Sequence, residues 1–221
     1  MNIVIFGASG MIGWGVLLEA LDSPAVTRVL SIGRRTLDIE HPKLEQLTHD
    51  DFEDFGSIAD ALTGIDACLW CLGISAAGLD EAAYTRITYE FTMAAAKVLH
   101  AHSPDLRFCF VSGAGTDDTE KGRAMWARIK GKTENALKRV GFREVILFRP
   151  AFIKPMRGAK PHGTLYRIMY PIFGVLSPLL RALGMATSTV EMGRAMVAAA
   201  QGKSSRAILD SKDINALAAR A

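Results

Sequence analysis

Asn2-Ile3-Val4-Ile5-Phe6-Gly7-Ala8-Ser9-Gly10-Met11-Ile12-Gly13 opens the chain, and its reading decides the fold. Four consecutive apolar residues are too few for a helix and suit a buried strand. The run breaks into glycines, and an apolar helical pattern resumes at Met11. A buried strand that turns through glycine into a helix builds a diphosphate site. Gly7 takes the tight turn, Gly10 lets a pyrophosphate approach the backbone, and Gly13 lets the helix lie close to the strand. Backbone around Ser9, Met11 and Ile12 then directs first-turn N–H groups at the phosphates. The spacing is GxxGxxG rather than GxGxxG, so its weight comes from the strand before it and the helix after it.

Working outward, strand and helix signals alternate. Strands are predicted at 2–6, 27–32, 44–48, 66–72, 107–111 and 143–149, with a short one at 206–209. Helices are predicted at 11–21, 55–62, 80–101, 120–139, 188–200 and, last, from Asp213 to Arg220. Such alternation predicts an α/β fold, a doubly wound parallel sheet of the Rossmann type, with a small C-terminal lobe. A chain of 221 residues, 49% hydrophobic, fits one such domain spanning 1–221.

The net charge of +3 is too small to argue for nucleic acid. The first strand begins at once, with no basic region ahead of an apolar one, which leads us to expect a cytoplasmic protein. Cys68 and Cys71 form a C-x-x-C inside a strand-like run, where residues three apart face opposite sides of a sheet. With Cys109 they read as buried structural thiols rather than a redox pair. His100 and His102 at a helix end lack the carboxylates or thiols of a metal site, and no metal is expected.

The second predicted strand ends Leu30-Ser31-Ile32-Gly33-Arg34-Arg35, where a doubly wound sheet meets an adenosine ribose. An acid there would bind both ribose hydroxyls of NAD. Two arginines instead suit a 2′-phosphate, which predicts NADP(H); two merely solvent-facing arginines are the alternative. After the third strand, Asp51 offers a carboxylate to the adenine amino group beside Phe52, or the two simply start a loop. Gly73, after the fourth strand, would let backbone pass the central riboses.

Together these features resemble the short-chain dehydrogenase/reductase superfamily, in its atypical and extended branches of epimerase/dehydratase-like and NmrA-like proteins. The resemblance rests on Gly7, Gly10, Gly13, Arg34, Gly73, Val111-Ser112-Gly113 and Arg149-Pro150, and covers residues 1–155 best. It implies that backbone at Pro150, Ala151 and Phe152 lies beside the nicotinamide carboxamide. It also implies catalysis by serine, tyrosine and lysine, the last two being four apart on a helix. Ser112 matches the serine and Lys130 the lysine, which would also hold the nicotinamide ribose. The tyrosine position holds Trp126, whose indole donates a hydrogen bond but cannot relay a proton. Tyr84, Tyr166, Tyr170 and His162 are alternative proton sources. Lys130 could instead be one more cation on a solvated helix face, and Ser112 an ordinary strand-end serine.

Residues 151–186 break the alternation, with Pro155, Pro161, Pro171 and Pro178 and an apolar core from Ile168 to Leu180 bracketed by Arg167 and Arg181. The run is too short to span a membrane. It reads as a substrate cover, an oligomer interface that leaves a homodimer open, or a membrane-surface contact. The function expected is an NADP(H)-dependent oxidoreductase acting on a small carbonyl or alcohol; the alternative is a non-catalytic NADP(H)-sensing regulator. A nucleotide-sugar epimerase or dehydratase, which usually needs a longer C-terminal region, ranks below both.

Overall fold

A computed structural model of the chain describes residues 1–160, 180–181 and 183–221. Seven strands form one sheet: β1 (Asn2–Phe6), β2 (Arg28–Gly33), β3 (Leu44–Thr48), β4 (Ala67–Trp70), β5 (Arg107–Val111), β6 (Glu144–Arg149) and, at one edge, Ile208–Asp210. A separate parallel pair joins β7 (Phe152–Lys154) to β8 (Ala186–Ser188), so the edge strand is β9. The order across the large sheet is β3-β2-β1-β4-β5-β6-β9, and every pairing is parallel. Direction of winding reverses beside β1, which creates the crevice where doubly wound sheets bind ligands.

Alternation along the strands feeds two cores. Ile3 and Ile5 of β1, Leu69 of β4 and Cys109 of β5 face one layer of helices, built from α1 (Met11–Asp22) and a later pair, Thr189–Ala200 and Ser211–Ala218. Val4, Phe6, Cys68, Trp70, Phe108 and Phe110 face the other. That layer holds the 3₁₀ turns Gly56–Leu62, then α2 (Glu81–Thr85) and α3 (Phe91–His102), and finally α4 (Met125–Val140). The later pair are therefore α5 and α6. Cys68 and Cys71 pack on opposite faces of the sheet, as two-residue periodicity requires.

Several boundaries move. The fourth strand stops at Trp70 rather than residue 72, because the chain turns past Gly7 there. The helix expected from residue 55 is 3₁₀. The one expected over 80–101 is interrupted by a π segment, Arg86–Glu90, and the freed Thr88 carbonyl accepts from Thr92 Oγ1 at 2.7 Å. The helix predicted from residue 120 starts at Met125. Asp117 holds the preceding loop, accepting from Thr119 N, Thr119 Oγ1 and Gly122 N. The readings of Tyr166, Tyr170, His162 and the apolar run from Ile168 fall almost wholly outside the described residues.

A strap runs from β7 to residue 160 and crosses α1. Trp14 Nε1 donates to the Arg157 carbonyl at 3.2 Å, and the Arg157 guanidinium reaches Glu19 and Asp22 at 2.7 Å each. Glu19, itself buried, also receives Arg194 of α5 at 3.1 Å.

Candidate functional site

At the β1–α1 corner Gly7 adopts a φ of +79°, a left-handed conformation disfavoured for residues with a side chain. A Cβ on Gly7 would sit 2.6 Å from the Leu72 nitrogen, and one on Gly13 only 2.1 Å from the Gly7 carbonyl oxygen. A Cβ on Gly10 would lie 3.3 Å from that same oxygen. Gly10 caps α1 in extended conformation, and its N–H donates to Gly7 O at 3.0 Å. The first turn of α1 carries no acidic side chain, so its positive dipole end is uncompensated. Ser9 is exposed at the bend, with Met11 and Ile12 half-buried behind it. A backbone cradle in which Gly7 and Gly13 leave no room for a Cβ, at a helix whose first turn carries no carboxylate, fits a diphosphate.

At the end of β2, Arg34 and Arg35 are exposed and neither guanidinium meets a partner among the described residues. Asp51 is exposed and its carboxylate accepts from Glu53 N at 2.9 Å. The Phe52 ring is buried among His49, Phe55 and Phe91. What Phe52 presents outward is therefore backbone rather than ring.

At the ends of β4 and β5 the structure brings Gly73, Ser112, Trp126 and Lys130 together. Lys130 Nζ donates to the Val111 carbonyl at 2.9 Å, stands 4.7 Å above the Phe110 ring, and lies 3.9 Å from where a Cβ on Gly73 would be. The lysine is 9% exposed, so it belongs to no solvated face. Burial pushes its amine down to about 8, against the pull of the Glu134 carboxylate one turn along α4. Trp126, half-buried, lays its benzo edge over Gly113 and Gly115, with Cβ positions 3.6 and 3.5 Å away. Its indole N–H has no partner among the described residues.

Thr116, which carries no motif or periodicity that would mark it, controls Ser112. Thr116 Oγ1 donates to the Gly113 carbonyl at 2.8 Å. A hydroxyl has one proton, so in the 2.9 Å contact between the two hydroxyls Ser112 is the donor. Ser112 thus turns lone pairs, not its proton, toward the crevice. Glu134 was also missed, although its offset of four from Lys130 marks it as a neighbour. Fully buried, it takes Arg149 Nε at 3.0 Å and Nη2 at 2.5 Å, tying α4 to the end of β6. Next to Arg149, the Pro150 carbonyl accepts from Ala114 N at 2.9 Å, and Phe152, half-buried, enters β7.

Tyr84 is buried in α2. The Cys71 thiol is pushed up to about 12 by burial, and Cys68 and Cys109 are also raised. Among the described residues no group of three His, Cys, Asp or Glu could hold a metal, and no helix is long and apolar enough to cross a membrane. A hollow lined by Asp66, His102, Asp105, Arg107 and Arg143 sits at the amino ends of β4 and β5, opposite the glycine corner, and contains none of the candidate residues.

Strand order, glycine corner and helix start together define a dinucleotide-binding protein of the Rossmann type. The chain belongs to the NAD(P)H-binding family, whose match spans residues 7–160. It is 27% identical over 204 residues to the mitochondrial protein fmp52 of Emericella nidulans, covering 89% of this chain and 85% of that one. It is 28% identical over 199 residues to protein HTATIP2 of Rattus norvegicus, covering 89% and 79%. Among solved structures, the Bordetella bronchiseptica enzyme WbmH in complex with NAD+ superposes with a TM-score of 0.68 at 17% identity, over 95% of this chain and 74% of that one. The dTDP-glucose 4,6-dehydratase DesIV of Streptomyces venezuelae, with NAD bound, gives 0.67 at 19%, over 95% and 75%. At such identities these likenesses speak for the fold, and it is the fold of epimerase- and dehydratase-type short-chain dehydrogenase/reductases. The expectation of a cytoplasmic chain is corrected by the fungal relatives, which are named as mitochondrial proteins. That expectation rested on how the chain begins, which does not decide where it works.

Proposed function

We propose that this chain binds NADP(H) at the β1–α1 corner and interconverts a small carbonyl compound and its alcohol. The observation that carries the choice of cofactor is the exposed pair Arg34 and Arg35 at the end of β2, neither of which meets a partner among the described residues. Their guanidiniums suit bidentate binding of a 2′-phosphate dianion. Gly7, Gly10 and Gly13 would receive the diphosphate, Asp51 and the Phe52 backbone the adenine, and Gly73 the riboses. Lys130 would hold the nicotinamide ribose, and backbone from Pro150 to Phe152 the carboxamide. When bound, the nicotinamide supplies or accepts a hydride. Trp126 N–H would hold a substrate oxygen, and the Ser112 lone pairs would accept from a neighbouring donor on the substrate. Calorimetry with both cofactors tests the first half: NADPH should bind at least about tenfold tighter than NADH, a difference of about 1.4 kcal/mol. Equal binding refutes it. Loss of NADPH absorbance across a panel of aldehydes and ketones tests the second.

One observation favours a different reading. The Ser112–Thr116 chain ends on a carbonyl oxygen, which cannot pass a proton on, and Trp126 only donates. A cofactor-sensing regulator needs no proton transfer. It needs a partner whose affinity differs between cofactor-bound and cofactor-free states. Pull-downs with and without NADPH, giving the same partners in both, would remove this alternative.

A further inference from the structure

We infer that Lys130 itself gives the proton to the substrate oxygen, in place of the tyrosine that Trp126 replaces; the inference rests on the oxidoreductase reading above. Every other polar group described at the site fails on geometry or chemistry. Trp126 N–H donates but does not titrate near neutrality. The Ser112 proton goes to Thr116, and the Thr116 proton goes to the Gly113 carbonyl, where the chain stops. Tyr84 is buried and already engaged. The Cys71 thiol, raised to about 12, holds its proton too tightly.

Lys130 has the placement. Its stem is buried along α4, and its Nζ lies at the end of β5, one residue before Ser112. One of its three protons is used on Val111 O, and the side of the amine toward Gly73 meets no side chain there, because residue 73 has none. The charged groups around it are few. Among the described residues Glu134, on its own helix, is the carboxylate that acts on it, and Arg149 of β6 neutralises that carboxylate. Asp118, from the loop before α4, stands 3.9 Å from Arg149. β5 and the turn after β4 present Phe110, Ser112 and Gly73, none of them charged. An amine brought down to about 8 by burial is matched to acid–base work near neutral pH.

The step balances. The carbonyl carbon gains a hydride, with its electron pair, from the reduced nicotinamide. The C=O π pair moves to oxygen, and that oxygen takes a proton from Lys130 Nζ. The products are the alcohol, oxidised nicotinamide and a neutral amine, which water reprotonates.

The test compares the intact protein with Lys130→Arg and Lys130→Met. Arginine keeps the charge and a donor for Val111 O but cannot titrate in this range. Wild-type reduction should fall with rising pH above about 8, and oxidation of the alcohol should rise through the same range. K130R should lose about 10²–10⁴-fold in kcat and lose that pH limb, while its NADPH affinity by calorimetry stays within about threefold. K130M should lose turnover and NADPH affinity together. Independently of turnover, NMR titration of the lysine amines in the cofactor-free protein should show one group near 8 that is absent in both variants. If K130R turns over within about threefold of wild type and keeps the limb, the donor is elsewhere, with Tyr166, Tyr170 and His162 next in line, and the inference fails. If the NMR resonance is missing, it fails as well. If wild type binds NADPH yet reduces nothing across the panel, the oxidoreductase reading falls and takes the lysine role with it.

Discussion

Replacing Gly10 and Gly13 by alanine, one at a time, separates two things that the glycine corner does. A Cβ at position 13 would stand 2.1 Å from Gly7 O, 2.7 Å from Gly7 C and 2.9 Å from the Ala8 Cα. Ordinary contact begins near 3.4 Å, so α1 would have to retreat by more than an ångström, against backbone that cannot swing aside. That retreat pulls Val16, Leu17 and Ala20 out of register with the sheet. Overpacking of this kind costs about 1–3 kcal/mol, a large share of the roughly 5–15 kcal/mol of a whole domain. At position 10 the nearest atom would be 3.3 Å away, and the φ of −79° is open to any residue. The weaker cap that alanine makes, about 0.5–1 kcal/mol, is offset by the smaller conformational freedom of the unfolded chain, about 0.4–1 kcal/mol. Gly10→Ala should therefore unfold in urea within about 1 kcal/mol of wild type, yet bind NADPH at least about tenfold more weakly, because its methyl would occupy the path proposed for the diphosphate. Gly13→Ala should lose stability first, with affinity lost as a consequence. A Gly13→Ala protein as stable as wild type, or a Gly10→Ala protein with unchanged NADPH affinity by calorimetry, would refute this account of the corner.

Arg34→Ala combined with Arg35→Ala should weaken NADPH by at least about tenfold and leave NADH unchanged, which a pair of calorimetric titrations reads directly. Glu134→Ala leaves the Arg149 guanidinium only Asp118, at 3.9 Å, among its described partners, and denaturant unfolding should show a loss of about 1–3 kcal/mol. Lys130 titrates near 8 in the folded chain and near its ordinary 10.5 in the unfolded one. Between those values the unfolded chain holds more protons, so stability should rise as pH is raised through the window, by an amount of order 3 kcal/mol. K130M should flatten that rise.

The strands of the large sheet could be read from the sequence because burial on both faces of a parallel sheet leaves continuous apolar runs such as Ile3 to Phe6 and Phe108 to Val111. The start of α4 could not. Lys121 and Arg123 continue the charged pattern, yet side-chain bonds from Asp117 hold them in a loop, and periodicity carries no trace of such bonds. The β7–β8 pair was hidden for another reason: it joins Phe152 to Ala186, a pairing decided by packing far along the chain. At the site, residue types told of Lys130 and Trp126. They did not tell that Thr116 turns the Ser112 hydroxyl, because hydrogen-bond direction depends on where the Gly113 carbonyl points.

Glu19 gathers guanidiniums from two distant stretches, Arg157 and Arg194, onto the helix that begins at the glycine corner. Whatever grips the front of α1 is therefore linked, through Trp14, Glu19 and Asp22, to Arg157 and the stretch 152–160 that carries it. Amide hydrogen exchange along that stretch should slow when the dinucleotide binds, which would give an occupancy gauge that works even in a protein unable to turn over.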